Sequence, residues 1–181
     1  MNLSLENSIG LIIDIQSKLL PHIYENEKLI ESNIRLIRGL RLLGVPIIIT
    51  EQYPKGLGET DVSLIEALGN DYQPIIKDTF SCIGCETFLD KIKEIGRKNV
   101  IVSGIETHIC VMQTVRDLTA SDFNPFVVVD CVSSRKLHDK QYGLERMFRE
   151  GAFPATYESV LMEIANTSKH PNFKELSKII K

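Results

Sequence analysis

The 181-residue sequence has no apolar run near the roughly 20 residues that a membrane-crossing helix needs. Its first residues, Met1-Asn2-Leu3-Ser4-Leu5-Glu6, lack a basic segment leading into an apolar one. A secretory signal is therefore not expected, and the cytoplasm is the expected location. Positive charge is also missing: 21 Lys and Arg stand against 24 Asp and Glu, a formal net charge of −3. The phosphate attraction that drives nucleic-acid binding has no evident source, so neither nucleic acid nor membrane is an expected partner. Lys174, Lys178 and Lys181 read as a solvated helix face. Linkers, repeats and low-complexity tracts are absent, so residues 1–181 read as a single domain.

Cysteine is sparse. Cys82, Cys85, Cys110 and Cys131 are the four. In a reducing compartment they read as free thiols, one of which could serve as a nucleophile. Cys82-Ile83-Gly84-Cys85 has no second Cys or His pair at zinc-binding spacing, and it does not open a helix directly after a strand as a redox motif would. Both thiols read as plain surface or buried groups, with a redox role as a weaker option.

Short apolar runs alternate with helical patterns. The runs are Ile9–Ile13, Pro46–Ile49, Pro74–Ile76, Val100–Val102, Pro125–Val129 and, more weakly, Ala152–Thr156. Their Ile and Val content and continuous apolar character predict parallel strands buried on both faces. Helical spacing marks Lys28–Leu43, a stripe through Phe88, Ile92 and Ile95, Ile109–Leu118, His138–Arg149 and Asn172–Ile180. Gly44 and Pro46 close the first helix. The alternation predicts an α/β fold with right-handed crossovers and helices on both faces of the sheet. Glu51–Thr60 reads as a loop that borders a site.

In open parallel sheets, ligands bind beyond the carboxyl ends of the strands. The apolar runs close on Asp14, on Thr50 and Glu51, on Lys77, on Ser103-Gly104 shortly before Cys110, and on Asp130. Asp14, Lys77 and Cys110 thus reach one rim from three strands. Thr107 is a candidate N-cap that would seat Cys110 in the first turn of a helix, where free N–H groups favour a thiolate. A neighbouring Lys77 ammonium would favour it further. The same N–H groups can hold an oxyanion, and Asp14 can carry the proton. Cys110 as an ordinary buried small side chain remains the alternative.

Three stretches carry a family resemblance that covers nearly the whole chain. They are Asp14-Ile15-Gln16, Lys77-Asp78-Thr79-Phe80-Ser81, and Gly104-Ile105-Glu106-Thr107-His108-Ile109-Cys110-Val111. With Val129-Asp130-Cys131-Val132-Ser133-Ser134-Arg135 they resemble the isochorismatase-like cysteine hydrolases, which include nicotinamidases and N-carbamoylsarcosine amidohydrolases. The Glu51–Gly58 loop and Gly151-Ala152-Phe153 look closest to the branch named for an isochorismatase domain. The resemblance implies a Rossmann-like three-layer α/β/α sandwich with a six-stranded, mostly parallel sheet, often in dimers or larger assemblies. It implies a Cys110–Asp14–Lys77 triad, a cis peptide between Ile105 and Glu106, and an oxyanion hole from the Glu106 and Cys110 N–H groups.

Two departures sharpen the expectation. Nicotinamidases carry an Asp-x-His metal cluster after the second strand, where this chain has Thr50-Glu51-Gln52-Tyr53-Pro54. No metal or other cofactor is expected, and the substrate is expected to differ from nicotinamide. Isochorismatases proper cleave a vinyl ether without the cysteine, so Cys110 points to acyl chemistry on a small amide. The alternative is a binding or assembly protein that keeps the fold. Gln16, Glu51, Gln52, Tyr53, Phe80 and His108 are the candidate substrate-binding residues. For Gln16, Tyr53, Phe80 and His108, ordinary hydrogen-bonding or packing roles stay open. Leu- and Ile-rich helix faces make a homo-oligomer the expected state.

Overall fold

The computed structural model describes residues 2–181. Six strands form one parallel sheet in the order β3-β2-β1-β4-β5-β6. They are β1 (Ser8–Ile13), β2 (Ile47–Gln52), β3 (Ile75–Lys77), β4 (Asn99–Ile105), β5 (Asn124–Ser133) and β6 (Phe153–Ala155). Each of the six apolar runs contains or overlaps one strand. Every residue of β1 and β4 is buried, as a central parallel strand requires; the expectation of burial on both faces fails for the edge strands β3 and β6, where Ile76 is 60% and Phe153 38% exposed.

Eight helices cover the sheet: α1 (Asn26–Leu42), α2 (Pro54–Leu57), α3 (Val62–Leu68), α4 (Glu86–Ile95), α5 (Met112–Ala120), α6 (Leu137–Arg149), α7 (Tyr157–Ala165) and α8 (Phe173–Ile180). Phe88 and Ile92 of α4, Val115 and Leu118 of α5, and Met147 of α6 pack against Ile9, Leu11, Val100, Val102 and Val127 on one face. On the other face, Leu36 and Leu40 of α1, Leu161 of α7 and Leu176 of α8 meet Ile101, Phe126 and Val128. Ile37 of α1 and Leu64 and Leu68 of α3 cover Ile12 and Ile49. The result is a three-layer α/β/α sandwich. No described helix is long and apolar enough to cross a membrane.

Local chemistry sets several boundaries. α1 ends before Gly44, whose φ of +75° continues no right-handed helix. α3 and α7 escaped the periodicity reading, although α7 is as long as α5 and longer than α8. Yet their caps are present: Asp61 accepts from the Ser63 N–H, and Thr156 forms a reciprocal capping box with Ser159.

Three expectations are corrected. Glu51 and Gln52 extend β2, and Pro54–Leu57 makes a single helical turn, so 51–60 is not wholly loop. The fifth strand runs on to Ser133 through a register shift against β4, which puts Asp130 inside the strand and not at its end. Cys110 lies in a π-helical turn, Thr107–Val111, that leads into α5. Thr107 does not cap it; its hydroxyl is buried and has no hydrogen-bond partner.

The chain leaves β1 toward β2 and β3 on one side and returns to β4 on the other. The crevice beyond the carboxyl ends of β1 and β4 is the topological switch point, where open α/β sheets bind ligands.

Candidate active site

Asp14 follows the last residue of β1 and adopts a left-handed backbone, φ +53°, uncommon for a side chain other than Gly or Asn. This conformation turns the chain off the sheet while the carboxylate stays buried. Its Oδ2 accepts from the Lys77 Nζ at 2.6 Å and its Oδ1 from the Thr50 hydroxyl at 2.7 Å. Lys77, the last residue of β3, has a side chain with no exposed surface. Its ammonium also donates to Gln52 Oε1 at 2.8 Å and to the carbonyls of Thr79 and Phe80 at 3.1 and 3.2 Å. These bonds compensate the loss of hydration that makes a buried ammonium costly.

β4 delivers the third group. Gly104 sits beside Ile13 of β1, where an added Cβ would lie 2.2 Å from the Ile13 carbonyl oxygen, and its φ is +131°. Only glycine allows β1 and β4 to approach this closely at the crevice. The Ile105–Glu106 peptide is cis. The Glu106 carbonyl then accepts from the Ile109 N–H at 3.0 Å and the Val111 N–H at 3.3 Å, passing over the Cys110 N–H. Gly143 of α6 lets that helix lie against the turn, since a Cβ there would come 3.1 Å from the His108 Cα.

Cys110 is 7% exposed, and burial pushes its thiol well up. The Asp14 carboxylate facing it pushes the same way, against a smaller pull downward from Lys77. Desolvation and the Asp14 carboxylate thus favour the thiol at Cys110, against the thiolate that the helix-terminus and Lys77 arguments lead one to expect.

A cavity of about 250 Å³ opens over this group. Asp14, Cys110, Gln52, Glu106 and Arg135 give it polar edges; Leu19, Leu57, Phe80, Ile105 and Ile109 give it apolar walls. Lys77 lies behind Asp14 and does not line it. Of the candidate substrate-binding residues, Gln52 and Phe80 border the cavity. The other four do not. The Gln16 amide is fully engaged, donating to the Gln52 and Gly58 carbonyls and accepting from the Gln52 N–H. Glu51 Oε1 accepts from Thr60 N, Thr60 Oγ1 and the Tyr72 hydroxyl. Tyr53 is 55% exposed on the outer surface, and His108 Nδ1 is hydrogen-bonded with Ser134 Oγ at 2.9 Å. Gln16 and Glu51 thus hold the loop that forms one wall.

Two polar residues at the site, Arg135 and Thr50, had no role assigned from sequence. Arg135 donates its N–H and Nε–H to Glu106 Oε2, each at 3.0 Å, and its guanidinium borders the cavity mouth. It closed the Val129–Arg135 stretch, which was the available signal. Thr50 closed the second apolar run. Leu19 and Leu57 carried no signal, since apolar loop residues look alike in sequence. Among the described residues, no group of three or more His, Cys, Asp or Glu side chains is placed to hold a metal ion.

A family model described as the isochorismatase domain matches residues 8–159. The chain is similar to isochorismatase domain-containing protein 2A of Mus musculus, 39% identical over 177 residues that make up 97% of this chain and 84% of that protein. It is similar also to isochorismatase domain-containing protein 1 of Danio rerio, 37% identical over 180 residues. That match takes in 99% of this chain but 63% of the fish protein, so the chain spans less than two thirds of that relative. Among solved structures, MAR1 ribonuclease from Caenorhabditis elegans superposes with a TM-score of 0.93 at 39% identity, covering 99% of this chain and 92% of that one.

Proposed function

The chain belongs to the isochorismatase family, a family of hydrolase-type enzymes, and from that premise we propose that it is a cysteine hydrolase of a small amide. The observation that carries the proposal is the buried Asp14 carboxylate, bound to the Lys77 ammonium at 2.6 Å and lining the same cavity as the Cys110 thiol.

Asp14 takes the thiol proton as the sulfur attacks the substrate carbonyl, so a free thiolate need not accumulate in the resting site. The carbonyl π pair moves to oxygen, where the Cys110 and Glu106 N–H groups hold it. The bypass of the Cys110 N–H by the Glu106 carbonyl supports this use. Collapse expels the amine, which takes the proton from Asp14 and leaves an acyl thioester. Water then attacks the thioester, giving a proton to Asp14; the C–S bond breaks and the sulfur recovers its proton. Lys77 keeps Asp14 oriented while its carboxyl group takes up and returns the proton.

The nematode relative is described as a ribonuclease. Here a cavity of about 250 Å³ with mostly apolar walls, in a chain of net charge −3, supports a small molecule instead. The test is a panel of small amides with a short RNA alongside, followed by mass analysis of Cys110. An acyl adduct on Cys110, and turnover abolished in Cys110→Ala, are expected. Amide turnover unchanged in Cys110→Ala, or RNA cleavage as the sole activity, would refute the reading. We propose further that the protein self-associates, which exposed Leu137, Tyr142 and Phe153 support; a monomer by sedimentation would refute this.

A further inference from the structure

We infer that Thr50 is a positioning residue for the proton-carrying carboxylate and that Cys82 extends the same hydrogen-bond chain from behind. The inference rests on the reading of Asp14 as the base for Cys110.

Thr50 holds Asp14 at two points. The Asp14 N–H donates to the Thr50 carbonyl at 3.2 Å, and the Thr50 hydroxyl donates to Asp14 Oδ1 at 2.7 Å. An ionised carboxylate has no proton to give, so the direction of the second bond is fixed. The Thr50 hydroxyl has a single proton, which goes to Asp14, leaving its oxygen free to accept. Cys82 Sγ lies 4.0 Å from that oxygen, and the Cys82 N–H is held by Thr114 Oγ1 at 3.0 Å. Burial pushes the Cys82 thiol up to about 12, which keeps it protonated and able to donate. Thr50, Cys82 and Asp14 are all buried, so water does not compete for these bonds.

Rotation about the bond to a carboxylate is soft. Lys77 alone fixes one oxygen and leaves that rotation open. A donor on the other oxygen locks the plane and presents the remaining lone pairs to Cys110 at one angle. Each Asp14 oxygen has one such donor, Lys77 on Oδ2 and Thr50 on Oδ1. This gives a polar residue within β2 a task, although it lies outside the cavity lining.

The experiment reads alkylation of Cys110 by iodoacetamide at neutral pH, with peptide mapping and half-buried Cys85 as the internal reference. The sulfur displaces iodide, and its proton passes to Asp14 and then to solvent. Thr50→Val keeps the side-chain shape and the backbone bond but removes the hydroxyl. It should slow Cys110 labelling by about 10- to 100-fold. Thr50→Ser should label close to the rate of the unaltered protein, Cys82→Ala should slow labelling about two- to fivefold, and Cys85 should not change. In an Asp14→Asn background, Thr50→Val should have no further effect, because the hydroxyl acts through Asp14. Thr50→Ala serves the same comparison should Thr50→Val not fold. Full-rate labelling in folded Thr50→Val, or equal slowing with and without the Asp14 carboxylate, overturns the inference. Asp14→Asn labelling at full rate overturns the base assignment itself. Slowing in Asp14→Asn without slowing in Thr50→Val overturns only the role of Thr50.

Discussion

Replacing Lys77 by Met removes one charge from a pair that is buried on both sides. Lys77 Nζ has four acceptors, more than an ammonium has protons, and the shortest contact is to Asp14 at 2.6 Å. The side chains of the pair are 0% and 1% exposed. Methionine fills similar volume but leaves the Asp14 carboxylate with Thr50 as its remaining side-chain donor. Breaking a buried pair in this way costs about 3–5 kcal/mol, against a total stability of about 5–15 kcal/mol for a typical domain. For a chain of this size the melting temperature should fall by about 6–20 °C. Urea unfolding of Lys77→Met and of the double variant Lys77→Met/Asp14→Asn separates the causes. The double variant should recover about 2 kcal/mol or more, because no unpaired charge remains. A cost below about 1 kcal/mol for the single variant would mean the pair behaves as an exposed one. A double variant no more stable than the single one would refute the stranded charge as the cause.

Other consequences are equally open to measurement. The thiols of Cys82, Cys110 and Cys131 are all raised by burial, so their unfolded counterparts lose protons first as pH climbs. Stability should be full below the unfolded thiol value of roughly 8.5 and decline above it by about 1.4 kcal/mol per pH unit for each thiol. Urea unfolding from neutral to alkaline pH should show a shallower decline in Cys110→Ala, and an identical slope would count against the buried thiol. Gly104→Ala should give no folded protein, or lose more than about 4 kcal/mol, given a Cβ 2.2 Å from the Ile13 carbonyl oxygen; a soluble variant melting near the original temperature would overturn this. Gln16→Ala removes three hydrogen bonds, two to the Gln52 backbone of β2 and one to the Gly58 carbonyl of the cavity-wall loop. It should lower stability by about 1–3 kcal/mol, and a KM increase at unchanged stability would return Gln16 to the role of a substrate ligand.

Much of the architecture was legible in the sequence because strands show as short apolar runs, rich in Ile and Val where they are buried on both faces as in β1 and β4, and weaker at the exposed edge strand β6. All six strands follow from those runs, and the longer helices follow from their periodic stripes. α3 and α7 were missed although α7 is as long as α5, and their caps at Asp61 and Thr156 stand in the sequence. Asp14, Lys77 and Cys110 could be named because each stands at or just past the end of a buried run, and because the surrounding motifs resemble one family. The π-helical turn could not be read: periodicity does not distinguish a turn that carries one extra residue, and Thr107 offered a cap that the structure does not use.

The sequence by itself determined where the apolar runs lie and therefore which polar groups reach one rim. Those properties depend on neighbours along the chain. Tertiary structure decided what each polar group does there. It caged Lys77 behind Asp14, bound Gln16 and Glu51 into the loop wall, and turned Tyr53 outward. It set Thr50 on the far oxygen of Asp14 and Arg135 at the mouth. It also set Cys110 where burial and the Asp14 carboxylate oppose a thiolate, a balance that depends on three-dimensional distances residue spacing does not encode.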